Sequence, residues 1–198
     1  MKLILVRHGQ TEWNLERRIQ GWKNSALTDD AKEKLSGSTL SELNSSVRGS
    51  PVFYSSDLGR AYESAQILAH SYSSNVIADR RLRERKLGVL EGKVIDLDQE
   101  LMPFWRVYHN RYSEKMESAF GVESESDFES RILTFIEHLR QRHADNDNTI
   151  VIVSHGEWIR AFINIINGIP SWHKGRGIED NGLPVILELP ILICRETA

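Results

Sequence analysis

The chain carries a single cysteine, Cys194, among its 198 residues. One thiol closes no intramolecular disulfide and builds no Cys-based zinc site. Charge of one sign is also missing: 25 Lys and Arg stand against 28 Asp and Glu, a net charge of −3. That balance gives no electrostatic reason to expect nucleic acid or an anionic membrane as partner, although a small anion answers to the local field of its pocket. Long apolar runs are absent as well. The N-terminal run through Val6 is stopped by Arg7 and His8, far short of a signal-peptide core or a membrane span. A cytoplasmic protein is expected. No internal repeat is visible, and the length suits one domain over residues 1–198.

What is there alternates. Residues 3–6, 52–54 and 149–153 are apolar runs bounded by charge or turn residues, the form of strands covered on both faces, and β-branched residues dominate the third. Residues 75–78 and 185–189 are further strand candidates, and residues 191–193, beyond Pro190, read as a closing edge strand. Helical patterns fill the gaps. Thr28 suits an N-cap, with Asp29 and Asp30 in the first turn and Leu35, Leu40 and Leu43 facing inward, although Ser36, Gly37 and Ser38 weaken the middle. Residues 59–72 place Ala61, Ala65 and Leu68 on one face, and residues 96–112 form an aromatic-rich helix. Phe128, Ile132, Phe135, Ile136 and Leu139 make a helical stripe, and residues 158–166 a second apolar helix that stops near Gly168 and Pro170. This order predicts an α/β fold: a three-layer α/β/α sandwich on a mostly parallel central sheet. Residues 113–127, acidic and polar around Gly121, read as a mobile segment inside a cap spanning 93–127.

Two of these strands run into the same kind of sequence. The first leads into Arg7-His8-Gly9, and the one at 149–153 into Ser154-His155-Gly156. In open α/β sheets ligands bind beyond the carboxyl ends of the strands, so parallel neighbours would bring His8 and His155 to one edge. The second strand delivers Ser56, Asp57 and Arg60 there too. Two arginines can hold a phosphate dianion by bidentate forks, and a neutral imidazole can attack phosphorus. Phosphoryl transfer asks mostly for such positioning and charge stabilisation. Bland readings compete residue by residue: a hydrogen-bonded structural histidine, a salt-bridged Arg7, an exposed Arg60. Zinc on His8, His155 and a carboxylate is a further reading, but no helical His pair stands at ligand spacing. His70, His109, His138, His143 and His173 fall in helices or loops and read as structural. What lifts the catalytic reading is the repetition of His-Gly after an apolar strand.

At this point the chain resembles the histidine phosphatase superfamily, which includes the phosphoglycerate mutases. Residues 7–14, Arg-His-Gly-Gln-Thr-Glu-Trp-Asn, match that family's opening signature without a gap. Residues 17–22 with Leu27-Thr28, residues 56–60, residues 82–92 and residues 154–157 resemble its later motifs in the family's order. The resemblance implies a phosphoglycerate mutase-like fold and a phosphohistidine on His8. Arg7, Arg60 and His155 would hold the phosphoryl group, with Asn14, Gln20, Gly21 and Gly156 also on the substrate. Glu84 would be the proton donor and later the base; Glu91 is the alternative acid. It implies no cofactor and no metal. The chain departs from the family at Ala31 and Lys34-Leu35 in the first long helix, at residues 120–124, and after residue 181.

One pocket of this kind supports two outcomes. Water attacking the phosphohistidine makes a phosphatase; a second hydroxyl of the bound substrate makes a mutase. Mutases of the family resemble longer chains with an insertion after the acid segment, and exclusion of water needs a closing element. Only a modest stretch separates Gly92 from Glu123 here. The expectation is therefore a phosphatase for a small phosphoester, with a mutase as the alternative and a non-catalytic phosphoester-binding module as the third reading. Arg18, Lys23, Arg81, Arg83, Arg85 and Lys86 are candidates for a second anionic group of the substrate. Trp105 and Tyr108 either cap the cleft or belong to the core, with core the default. Quaternary state stays open, a homodimer being the assembly to consider, since no apolar stripe is surplus to the core.

Overall fold

The computed structural model describes residues 1–143 and 148–189. Among the described residues five strands form one sheet: β1 (Lys2–Arg7), β2 (Val52–Ser55), β3 (Val76–Ala78), β4 (Ile150–Ser154) and β5 (Pro184–Glu188), in the order β3-β2-β4-β1-β5. The pairs β2·β3, β2·β4 and β1·β4 are parallel; β5 lies antiparallel on β1. The edge strand expected at residues 191–193 lies outside the described residues. Among the described residues no helix is long and apolar enough to cross a membrane.

Burial on both faces explains the continuous apolar strands. Leu3, Leu5, Ile150 and Ile152 point to one side, where they pack with α6 (Glu125–His143) and α7 (Gly156–Ile166). Ile4, Val6, Val151 and Val153 point to the other, against α4 (Gly59–His70) and the helices before β2. Each such side chain, fully removed from water, contributes roughly 1.5–3 kcal/mol. Two faces and two sets of helices make the three layers.

The helix expected after Thr28 is broken into three pieces. Thr28 does cap it, its hydroxyl accepting from the Ala31 amide at 3.1 Å. The chain runs as α2 (Asp29–Lys34), a π-helical turn at Leu35–Thr39, and α3 (Leu40–Ser46). The Ser36 hydroxyl donates back to the Lys32 and Glu33 carbonyls, and Gly37 adds backbone freedom, so the ladder widens there. The aromatic helix is also shorter than expected. It starts as α5 (Met102–Asn110) with Pro103 in its first turn, where the missing N–H is harmless; before it lies a 3₁₀ turn, Gln99–Leu101, capped by Asp98. The helix expected at residues 59–72 ends at His70, and that at 158–166 already begins at Gly156.

Between β3 and α6 the chain wraps around a third small core of Ile19, Leu87, Leu90, Trp105, Met116 and Val122. Residues 113–124 form turns and extended backbone tied in by the Leu87–Val122 bridge and by bonds from the Glu123 amide to the Lys86 carbonyl and from the Glu125 amide to the Met116 carbonyl. Gly88 is required here. Its φ is +53°, and a Cβ would lie 2.3 Å from the Phe120 carbonyl oxygen. Trp105 is core; Tyr108 lines the cleft described next.

Candidate active site

Parallel pairing of β1 with β4 sets Arg7 opposite Ser154, and the His8 amide donates to the Ser154 carbonyl at 2.9 Å. His8 and His155 therefore leave the same sheet edge side by side, ring centroids 5.2 Å apart. The His8 Nδ1 lies 2.7 Å from the Gly9 carbonyl, which can only accept, so Nδ1 carries the proton and Nε2 offers its lone pair. Burial, followed by the charges of Arg60 and Arg7, holds the His8 pKa well below the usual imidazole value. The ring is neutral.

Arg60 reaches this lone pair from the first turn of α4, its Nε 3.2 Å from His8 Nε2. Its other nitrogens donate to the Lys23 and Gly21 carbonyls at 2.8 Å each, and its backbone amide donates to Asn24 Oδ1. One loop thus caps α4 and fixes its guanidinium. Gly21 makes the loop feasible: its φ is +52° and a Cβ would meet the Glu91 carboxylate at 2.3 Å. Burial lowers the Arg60 pKa to about 10, still a cation at neutral pH. Arg7 donates to the Glu179 carbonyl through Nη1, while its buried Nε has no partner among the described residues.

His155 is fully buried behind His8, with Nε2 2.8 Å from the Ser56 hydroxyl. Its Nδ1 is buried and unpartnered among the described residues. Burial and Arg60 also hold its pKa well below the usual value. Buried polar atoms normally have partners, so free valences on Arg7 and His155 beside a cleft mark a place for a polar ligand.

Glu84 closes the opposite wall. Its Oε1 accepts from the Arg85 and Trp158 amides at 3.0 and 3.3 Å, and its Oε2 from the Glu157 amide at 3.3 Å. It sits on the N-terminus of α7, whose amides would favour a carboxylate. Burial, then the charge of Glu157, outweigh those amides and Arg60, and raise its pKa above the ordinary range. Glu91, the alternative acid, has one oxygen engaged by the Trp22 and Leu87 amides at 3.1 and 2.9 Å; it ties two loops together.

A cleft of about 280 Å³ joins these groups, lined by Arg7, His8, Asn14, Gln20, Gly21, Arg60, Glu84 and Gly156 among others. His155 stands beside it rather than on its wall. Asn14 lines the cleft while its Oδ1 caps α1 (Glu12–Leu15) by accepting from the Thr11 amide at 3.0 Å. Gln20 donates to the Thr11 hydroxyl, and its buried Oε1 has no partner among the described residues. Of the six basic residues considered for a second anion, Arg18 alone lines the cleft. Arg81 is paired with Asp79, Arg83 with Asp57, and Arg85 with Glu125 and Glu157. Sequence reasoning missed Arg17 and Trp13 on the cleft wall, and Asn181, whose amide donates to the His8 carbonyl at 2.7 Å. Arg17 has a local signal only in its neighbours: nothing in an isolated Arg announces a left-handed φ of +54°. Among the described residues no group of three or more His, Cys, Asp or Glu is placed to hold a metal ion.

Two buried histidines, two fixed guanidiniums and a carboxyl whose pKa is raised by burial gather at one cleft, a set suited to phosphoryl transfer, and the chain belongs to the histidine phosphatase superfamily (branch 1), which it matches over residues 3–189. It is 34% identical over 178 residues to a probable phosphoglycerate mutase, GpmB, of Salmonella paratyphi C, covering 89% of this chain and 79% of that one. Among solved structures it is similar to the mycobacterial glucosyl-3-phosphoglycerate phosphatase complexed with VO3, at 27% identity, TM-score 0.80 and 94% and 92% coverage of the two chains. Bacillus stearothermophilus YhfR is similar at 29% identity, TM-score 0.80 and 94% and 90% coverage.

Proposed function

We propose that the protein is a phosphomonoesterase that hydrolyses a small phosphorylated metabolite through a phosphohistidine on His8. The observation that carries this reading is the His8 ring itself, with Nδ1 pinned to the Gly9 carbonyl and Nε2 presented to Arg60 at the cleft. A phosphate dianion is a stronger acceptor than neutral imidazole, so the incoming phosphoryl group takes over the Arg60 contact and frees the lone pair. Nε2 attacks phosphorus as the ester P–O bond breaks, and Glu84 gives its proton to the leaving oxygen. Arg7, Arg60 and the free His155 Nδ1 hold the equatorial oxygens, with Asn14 and Gln20 at the rim. Water then attacks phosphorus, Glu84 takes its proton, the N–P bond breaks, and orthophosphate leaves a neutral His8.

The name carried by the curated relative favours a second reading, phosphoglycerate mutase. One set of assays separates the two. Wild-type protein is expected to release phosphate from some members of a panel of metabolite phosphoesters and to form an acid-labile phosphoenzyme, while His8→Ala does neither. Isomer exchange on 3-phosphoglycerate with a bisphosphorylated primer, without net phosphate release, would overturn hydrolysis. Saturable binding with no turnover of any kind would leave a binding module.

A further inference from the structure

Beneath Glu84 lies a set of buried ions that the chemistry above does not use. Glu157 is 5% exposed, Arg85 1% and Glu125 3%. The Glu157 Oε1 meets Arg111 Nε at 2.6 Å and its Oε2 meets Arg85 Nε at 3.3 Å. Arg85 spends its Nη2 on Glu125 at 2.6 Å, and Glu125 in turn accepts from the Ser171 hydroxyl. Such networks are expensive to bury and are weak evidence for stability, so their placement asks for another reason.

The placement is specific. Glu157 and Glu84 are neighbouring carboxylates that share the first turn of α7: the Glu157 amide donates to Glu84, while its side chain turns to the arginines. Two carboxylates this close do not both ionise cheaply, and the arginines decide which one does. Burial alone would raise Glu157, but Arg111, then Arg85 and Arg160, hold it below the ordinary range. The groups facing Glu84 are Glu157 on α7, Arg60 on α4, Arg7 on β1 and Tyr108 on α5; those facing Glu157 are Arg111, Arg85, Arg160, Tyr112 and Tyr108. Arg111 follows directly on α5. It is oriented by the Tyr108 carbonyl at 2.5 Å and the Tyr112 hydroxyl at 3.0 Å.

Building on the role given to Glu84 above, we infer that Glu157, clamped between Arg111 and Arg85, is a positioning residue that keeps the proton on Glu84. Arg111 couples this setting to the docking of the α5 segment. The clamp carries the negative charge so that the acid need not.

The test reads Glu84 directly, so it does not depend on turnover. In full-length protein labelled with δ-¹³C glutamate, the resonance lost in Glu84→Gln identifies the acid, and its titration midpoint is followed by NMR. In Glu157→Gln the midpoint is expected to fall by about one pH unit, because a like charge is removed. In Arg111→Met it is expected to fall as well, because Glu157 without its main compensation takes up a proton and no longer repels charge on Glu84, and Arg111→Lys should restore it toward wild type. A merely structural network predicts lower melting temperatures with an unmoved midpoint, and unmoved midpoints in the folded variants would overturn the inference. Should Glu157→Gln fail to fold, the two Arg111 variants decide alone. A wild type that hydrolyses nothing would sink the phosphatase reading while the titration still judged the clamp.

Discussion

The two walls of the cleft are built on different principles. On the sheet edge, His8, Arg60 and His155 stand on consecutive strand ends and one helix start, and their titratable rings are kept neutral by burial beside fixed cations. On the opposite wall, Glu84 rests on the first turn of α7, where the charge of Glu157 is kept ionised and paired with Arg85 and Arg111. In the reaction proposed above, the first wall handles whatever every phosphoester shares, its PO₃ group, and the second meets what differs: the leaving oxygen and the rest of the substrate.

The largest expected effect separates these duties. Arg60→Ala removes a donor aimed at the nucleophile and orphans the Gly21 and Lys23 carbonyls. It should lower kcat by about 10²- to 10³-fold, as loss of a preorganised donor to transition-state charge typically does. The loss should be alike for good and poor leaving groups, measured on a series of aryl phosphates. A loss that grows as the leaving group worsens would mean that the edge also takes part in proton delivery, and the division would break. Arg60→Lys should recover only part, since a point charge cannot bridge two carbonyls and a phosphate at once.

The same contrast decides what was legible in the sequence. The edge was read from residues because its causes are local: strands buried on both faces must be apolar runs, and ligand groups must follow their carboxyl ends. Thr28 announced its helix for an equally local reason. The wall was harder. Glu157 and Arg111 are 46 residues apart, and an ion pair leaves no periodic trace in a sequence. The broken helix around Gly37 followed from hydroxyl back-bonding that composition only hints at, and the late start of α5 followed from Pro103. Glu91 stayed a runner-up acid in the sequence because a buried carboxylate that ties backbone amides has the same letter as one that moves protons. Arg81, Arg83 and Arg85 stayed candidates for an anion, with solvated surface charge as the default, and their carboxylate partners come only with the fold.

A smaller effect is expected from acid. The pKa values of His8 and His155 are lowered, by burial first and Arg60 next, so the native rings stay neutral while unfolded imidazoles take up protons below about pH 6.5. The unfolded state then binds more protons, and stability must fall as pH falls through that value; above it both states are neutral and no loss occurs. His143 and His138, also lowered by burial, add in the same direction. For the two edge rings together the loss is on the order of 2 kcal/mol between pH 7 and 5.5. Urea midpoints across that range test it, and His8→Asn with His155→Asn should flatten the curve. If the double variant kept the wild-type slope, the acid sensitivity would belong elsewhere in the molecule.

The smallest effect concerns the outer wall. Arg17 lines the cleft on a left-handed backbone, φ +54°, where its amide is bonded to the Asn14 carbonyl and its carbonyl to the Ile95 amide. Arg18 beside it is already committed to Glu16 and the Gly92 carbonyl. A non-glycine residue held in that region costs of order 1 kcal/mol, and such strain is retained where surrounding structure over-determines it. Exposed ion pairs are worth only up to about 1 kcal/mol, so Arg17→Met should raise KM by about 3- to 5-fold, and only for substrates with a second anionic group. A matched pair, 3-phosphoglycerate and glycerol 3-phosphate, isolates that group. Equal changes for both would assign Arg17 to the fold of the rim. A selective change with kcat intact would show the outer wall sorting substrates that the sheet edge treats alike.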